Sequence, residues 1–255
     1  MGAKKLFFFD GGYLSVDKSI FVYRTDMGSK IESPVTMALI DSDDGYILYD
    51  TGLHPFALEK PDEIWGDRAP VVTSFVKKND VRNILASLDL RPEDISYVIN
   101  SHLHWDHSGG NQFFTKSIFV VQKAEYRFAL YPDNFLAQAY LKNHFDHPLN
   151  YNLIEGDKEI VDGVSVITSY GHTPGHQSLL IELPKTGKVI LVGDAIYTAE
   201  NIEKHVPAGN CWNPVLAMES HFKLKHLADK ENARLFLTHD PNFWEHVKKL
   251  PAFYE

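Results

Sequence analysis

Short apolar runs of strand length, separated by turn residues, set the rhythm of the first half of the chain. "KLFFFD" (5–10), "SIFVYR" (19–24), "PVTMALID" (34–41) and "GYILYD" (45–50) read as strands, and "DSDDG" between the last two reads as a hairpin turn. In "VKKNDVRNILASLDL" (76–90), Val81, Ile84, Leu85 and Leu88 recur at helical spacing. Pro92 closes that helix, and "ISYVIN" (95–100) and "SIFVVQ" (117–122) follow as buried strands. Residues 123–145 predict two helices interrupted near Pro132. The second half repeats the alternation: strands at "VSVITSY" (164–170), "HQSLLIEL" (176–183) and "KVILVGD" (188–194), a helix over 214–229, a strand at "ARLFLTHD" (233–240) and a short last helix. Strands that cluster within each half, with helices interspersed, favour two sheets packed face to face with helices outside. A doubly wound parallel sheet fits less well, because hairpin turns recur and no Gly-rich phosphate loop follows a strand.

Composition narrows the function classes. At 255 residues, 44% hydrophobic and 23% charged, the chain suits one globular domain over 1–255 with a sizeable core. No segment has the apolar length of a membrane span. The run "LFFF" (6–9) is too short for the core of a signal peptide, and "MGAKKL" lacks the Ser or Thr of a myristoylation site, so a cytoplasmic protein is expected. The lone Cys211 excludes a disulfide framework and a Cys-rich zinc module. A net charge of −9 disfavours nucleic acid as partner.

Polar residues at strand ends carry the chemistry. "SHLHWDHSGGN" (101–111) follows a strand and holds His102, His104, Asp106 and His107 in six consecutive positions. Imidazole nitrogens and carboxylate oxygens are metal ligands. Histidines at i and i+2 of an extended loop can reach one ion, and the turn after them can carry Asp106 and His107 toward a second. Gly109 and Gly110 are expected to let the backbone bend there. A solvated His-rich loop would explain this segment taken alone, but three more strands end in residues of the same kind: His172 in "GHTPGH", Asp194 in "VGDAIYT" and His239 in "LFLTHD". Strand ends at one edge of a sheet converge, and loops there carry function. Alone, His172 reads as a turn residue, Asp194 as a helix cap and His239 as neither more nor less than chance. Together they make three histidines for one ion, an Asp–His–His set for another, and Asp194 between them.

In this order and spacing, the His-x-His-x-Asp-His run, "GHTPGH", the strand-end Asp and the strand-end His resemble the metallo-β-lactamase superfamily over essentially the whole chain. "SHLHWDHSGGN", "GHTPGHQSLLIE", "GDAIYT" and the ending "LTHD…FYE" are most similar to the quorum-quenching N-acyl-homoserine lactonases. The resemblance implies an α/β fold, the αβ/βα sandwich of two mixed β-sheets flanked by helices. It implies one metal held by His102, His104 and His172, a second by Asp106, His107 and His239, and Asp194 bridging them. Zinc suits this set, and iron, cobalt or manganese would also fit. Class B β-lactamases differ at the position of Asp194, and flavodiiron relatives would carry Glu in place of His104.

Two divalent ions close together lower the pKa of a shared water to near neutrality, so the implied nucleophile is a bridging hydroxide. By the same resemblance Tyr197 hydrogen-bonds the substrate carbonyl or tetrahedral intermediate, and Asp106 returns a proton to the leaving alkoxide. Trp105, where the lactonases carry Phe or another apolar residue, is expected to line the substrate mouth or to pack beneath the loop. His176 is expected to support the site by hydrogen bonding, and the remaining histidines to be surface or packing residues. The aromatic-rich insert from Lys123 to Phe145, with Tyr126, Phe128, Tyr131, Phe135 and Tyr140, suggests an apolar trough for an acyl tail. The expected partner is a small lactone, with no membrane and no nucleic acid, and the protein a monomer or homodimer. The rival activities are a 4-pyridoxolactonase and a glyoxalase II-like thioesterase. From a different class, a non-enzymatic protein binding metal or signal would show no turnover.

Overall fold

A computed structural model of the protein describes residues 2–255. Twelve strands are found among them: β1 (Ala3–Asp17), β2 (Lys30–Ser42), β3 (Gly45–Tyr49), β4 (Val72–Ser74), β5 (Ile95–Ile99), β6 (Ile118–Gln122), β7 (Asn150–Ile154), β8 (Lys158–Val161), β9 (Val164–Thr168), β10 (Gln177–Leu183), β11 (Gly187–Leu191) and β12 (Arg234–Phe236). The first seven form one sheet in the order β4-β1-β2-β3-β5-β6-β7, and the last five a second in the order β12-β11-β10-β9-β8. Both sheets are mixed: β1, β2 and β3 run antiparallel, β3, β5, β6 and β7 parallel, and β11 pairs parallel with β12. The doubly wound alternative is thereby excluded in favour of two layers.

Strand alternation explains the layering. Phe8, Ala38, Ile40, Ile47, Tyr49 and Ile99 of the first sheet meet Val164, Val166, Leu179, Ile181, Val189 and Leu191 of the second in the central core. Their chain neighbours Phe9, Met37, Leu39, Leu48 and Val98 point the other way, onto Val81, Ile84 and Leu85 of the helix Val81–Ala86. On the opposite side Ile190 and Val192 pack beneath Leu224 and Ala228 of the helix Pro214–Glu231. Burial of both strand faces accounts for the near-continuous apolar runs of these segments.

Several elements depart from the sequence expectation. The strand read over 5–10 runs on to Asp17, with a register shift between Asp10 and Tyr13 inside one long β1. Glycine here marks a bulge, not a strand end. Residues 19–24 are not a strand: Lys18–Phe21 forms a helical turn, because Asp17 caps it by accepting from the Ser19 N–H at 2.9 Å. The helix expected over 76–90 is confined to Val81–Ala86, where Asp80 caps its start. The strands β4, β7 and β8 had no apolar signature, since they lie at or beside sheet edges and are largely exposed.

Four loops leave the two sheets at a common edge: 100–111 after β5, 169–176 between β9 and β10, 192–198 after β11, and 237–240 after β12. In the first of them the backbone turns as expected, the Asn111 N–H donating to the Ser108 carbonyl at 3.1 Å across Gly110 and Gly109. A Cβ on Gly109 would stand 2.3 Å from the His54 backbone nitrogen, so glycine is needed for close approach of the loop to residues 52–54. Among the described residues no helix is long and apolar enough to cross a membrane.

Candidate metal centre

Seven side chains from those loops converge. Ligand atoms of His102, His104, His172 and Asp194 lie within 4.8 Å of one another, and so do those of Asp106, His107 and His239. Asp194 joins the two groups through different oxygens. Its Oδ2 lies 3.3 Å from His172 Nε2 and 3.7 Å from His102 Nε2, while its Oδ1 lies 3.1 Å from His239 Nε2 and 3.3 Å from His107 Nε2. Apart from Asp106, these residues are buried. The turn that presents Asp194 needs glycine before it: Gly193 has φ +57°, and a Cβ there would stand 2.7 Å from His176 Nε2.

Hydrogen bonds from behind aim the imidazoles. Ser101 Oγ donates to Asp50 Oδ2 at 2.7 Å, so His102 Nδ1–H donates to that same Oγ at 2.9 Å. His107 Nδ1–H donates to Asp50 Oδ2 at 2.9 Å, and His239 Nδ1–H to the Pro34 carbonyl at 2.9 Å. Each partner fixes a tautomer with the Nε2 lone pair directed at the centre. His176 accepts the Asp194 N–H on Nε2 at 3.0 Å, so it props the Asp194 turn and has no free lone pair on that nitrogen. Glu125, fully buried, accepts from Leu103 N–H, Tyr140 O–H, Thr173 O–H and Gly175 N–H, which ties the His102–His107 loop to the His172–His176 loop.

The electrostatics suit cations. Burial holds His102 and His104 well below the usual imidazole range and brings His172 to about 4, so all three are neutral near pH 7. Burial acts against protonated His107 as well, but Asp194, Asp106 and Asp50 outweigh it and raise the ring to about 10, so without a cation its Nε2 carries a proton that a bound metal would displace. Asp194 is held well below the usual carboxylate range despite its burial, because His107, His239, His102 and His172 surround it. His102 Nε2 and Asp194 Oδ1 are buried with no hydrogen-bond partner. Buried lone pairs without donors are costly, and a cation at each group satisfies them. The donor set therefore fits two divalent ions.

The centre opens into a cavity of ≈630 Å³ that His104, Trp105, Asp106, Asp194, Tyr197 and His239 help to line. Tyr197 Oη donates to Asp194 Oδ2 at 2.6 Å, and burial, with Asp194 beside it, keeps the phenol protonated. Trp105 both lines the cavity and packs edge-on against Trp65, ring centroids 5.9 Å apart. Of the insert's aromatic residues only Phe135 reaches the cavity, beside Leu136, Gln138 and Ala139. Tyr126 and Phe128 pack inside the insert, Tyr140 lies against His104, and Tyr131 is 90% exposed. The apolar wall comes instead from Leu14, Val16, Ile20, Phe21 and Val71.

Residues 31–239 match the family model described as the metallo-β-lactamase superfamily. The chain belongs to that superfamily. An N-acyl homoserine lactonase of Bacillus cereus is 37% identical to it over 255 residues, covering 99% of this chain and 100% of that protein. A B. thuringiensis AiiA variant, solved with N-decanoyl-L-homoserine bound at the active site, is 36% identical, with a TM-score of 0.91 and full coverage (100%) of both chains. An N-acyl homoserine lactone hydrolase, solved with the product N-hexanoyl-L-homoserine bound at the catalytic metal center, is 35% identical with a TM-score of 0.90, again over 100% of both chains. The sandwich of two mixed sheets is thus this superfamily's fold, as the sequence resemblance implied.

Asp50 and Glu125 had escaped the sequence reading. Asp50 ends the apolar run "GYILYD", the same strand-end signal that singled out Asp194. Glu125 sits within a helix and carries no such signal.

Proposed function

We propose that this superfamily member hydrolyses the lactone ring of N-acyl-homoserine lactones in a metal-dependent reaction, as one hydrolase domain spanning 1–255. The observation that carries this reading is Asp194, whose two oxygens face two separate sets of ligand atoms at the floor of a cavity walled by apolar side chains. Full-length similarity to proteins named N-acyl homoserine lactonases supports the substrate class.

In this reading His102, His104 and His172 hold one divalent ion, Asp106, His107 and His239 the other, and Asp194 both. The imidazole and carboxylate ligands suit zinc, with iron, cobalt and manganese as competitors. A single cysteine, Cys211, fits a reducing cytoplasm. Bound there, a pair of divalent ions supplies water acidified to near neutrality and polarises an ester carbonyl. The protein's side chains do the rest. Water oxygen bonds to the ring carbonyl carbon, and Tyr197 Oη swings its hydrogen bond from Asp194 to the oxyanion that develops. The ring C–O bond then breaks. Asp106 carries the proton lost by the water to the departing ring oxygen, leaving an N-acyl homoserine.

The test is a panel of lactones assayed by proton release, beside one thioester, one β-lactam and one pyridoxolactone, on protein of measured metal content. Two ions per chain and turnover confined to acyl-homoserine lactones support the reading. A chain that never binds more than one ion in excess metal, or that turns over only the other substrates, overturns it.

A further inference from the structure

The cavity contains one guanidinium that nothing in the proposed chemistry uses. Arg68, in the short helical turn Gly66–Val71, lines the same cavity as Asp106, Asp194, Tyr197 and His239. It is half-buried, and among the described residues its side chain makes no hydrogen bond and no ion pair. Burial lowers its pKa, while the carboxylates of Asp106 and Asp67 act on it in the other direction without contacting it. Asp106 is itself committed to the metal centre, so Arg68 gains no partner there. Of the other residues lining the cavity, Leu14, Val16, Ile20, Phe21 and Val71 offer no acceptor side chain, and Gln138 and Asn210, which do, make no hydrogen bond to Arg68.

Arg68 thus offers the cavity an unspent fork of donors. An apolar tail alone would leave it unpaired in a space from which it expels water, and unpaired buried polar groups are what make polar sites discriminate strongly.

The acyl amide of the substrate class proposed above supplies a matching acceptor, its carbonyl. A 3-oxoacyl chain adds a second carbonyl two bonds further along, and a planar guanidinium presents paired N–H groups to two such acceptors at once. We propose that Arg68 is a specificity-determining residue that binds the acyl carbonyl oxygens, and that 3-oxoacyl homoserine lactones are the preferred substrates. This rests on the lactonase reading and specifies its substrate.

The experiment compares kcat/KM on metal-loaded protein for N-(3-oxooctanoyl)- and N-octanoyl-homoserine lactone and for a γ-alkyl lactone, which keeps ring and tail but lacks the amide. Arg68→Met retains the apolar stem and removes the donors; Arg68→Lys retains the charge without the fork. The wild type is expected to favour the 3-oxo substrate by about tenfold, the increment of one hydrogen bond to a charged group. Arg68→Met should abolish that preference, mainly through KM, and Arg68→Lys should restore only part of it. A 3-oxo preference absent from the wild type, or unchanged in Arg68→Met, overturns the proposal. So does an equal loss on all three substrates, which would mark Arg68 as acting on the centre through its charge. Metal content and melting temperature of both variants check folding. If loaded wild-type protein turns over none of the three, the lactonase reading itself fails, which is a different result from loss of discrimination.

Discussion

Tyr197 donates its phenolic proton to Asp194 Oδ2 at 2.6 Å while its ring lies flat on Phe21, centroids 4.3 Å apart and planes within 7°. The stack holds the ring, so the hydroxyl can turn between the bridging carboxylate and a substrate oxygen without moving the side chain. Tyr197→Phe keeps the stack and removes only the donor. It should retain both metals and lower kcat, by at most about 10²–10³ for a well-placed oxyanion donor and by less where a cation shares the charge. Metal analysis beside steady-state kinetics on several lactones checks this; unchanged kcat would return Tyr197 to a packing role.

Asp50 is the acidic residue behind the second ligand group. It accepts from His107 Nδ1–H at 2.9 Å, and from the Ser101 N–H and O–H at 2.7 Å each. Asp50→Asn removes the charge that orients His107 while leaving the ligands in place. Partners of this kind are worth about 10–100-fold in metal affinity. The larger loss should fall on the ion that His107 holds, which Asp50 reaches directly, and a smaller one on the ion of His102, which it reaches only through Ser101 Oγ; competition with a chelator should widen the gap between the two affinities. Equal weakening of both ions would contradict the assignment.

The legible part of the site was that written at strand ends. His102, His104, Asp106, His107, His172, Asp194 and His239 each follow an apolar run, and strands of two sheets that end at one edge must bring such residues together. What supports them was not legible, because it depends on which loop crosses which. Glu125 lies in a helix 22 residues from Leu103 and 50 from Gly175, and only the packed fold brings both N–H groups to one carboxylate. The trough was misplaced for a related reason. Aromatic density in 123–145 signals burial, but an insert of that length consumes most of its own aromatics, leaving Phe135 at the rim. The edge strand β7 and its partner sheet's edge strand β8 are polar and exposed, so neither periodicity nor composition marks them.

His144 lies fully buried beneath the metal loop, donating through Nδ1 to the Trp105 carbonyl at 3.1 Å, with Nε2 unpartnered. Burial, with the neighbouring His54 and His147 adding to it, lowers this ring from 6.5 to about 3. The unfolded chain therefore takes up a proton below about pH 6.5 that the folded chain refuses until far lower pH. Its contribution to stability is complete above that value and is lost as pH falls, by about 2 kcal/mol at pH 5. His144→Asn keeps a donor to Trp105 and has no titration. Urea unfolding of the metal-free proteins at pH 7 and pH 5 should show a shallower loss in the variant by that amount. Parallel losses would mean that His144 is hydrated in the folded state.

The apolar wall of the cavity predicts how rate depends on tail length. Leu14, Val16, Ile20, Phe21, Val71 and Leu136 line it, and Phe135, 62% exposed, stands at its rim. Each acyl methylene that reaches this wall should contribute about 0.8 kcal/mol. The tail is equally buried before and during ring opening, so the gain belongs in KM more than in kcat. From butanoyl to decanoyl homoserine lactone, KM should fall stepwise and then level off once the tail passes Phe135. Phe135→Ala should raise KM for the longest chains and leave the shortest ones alone, because only a long tail reaches the rim. Tyr126→Leu, within the insert's own core, should change no kinetic constant beyond what its stability explains. A wall that the acyl tail never meets would give a flat response to chain length in every variant. Coupled with faster turnover of a compact aromatic lactone, that outcome would transfer the substrate assignment from acyl-homoserine lactones to pyridoxolactone, while the two-ion centre beneath it would stand.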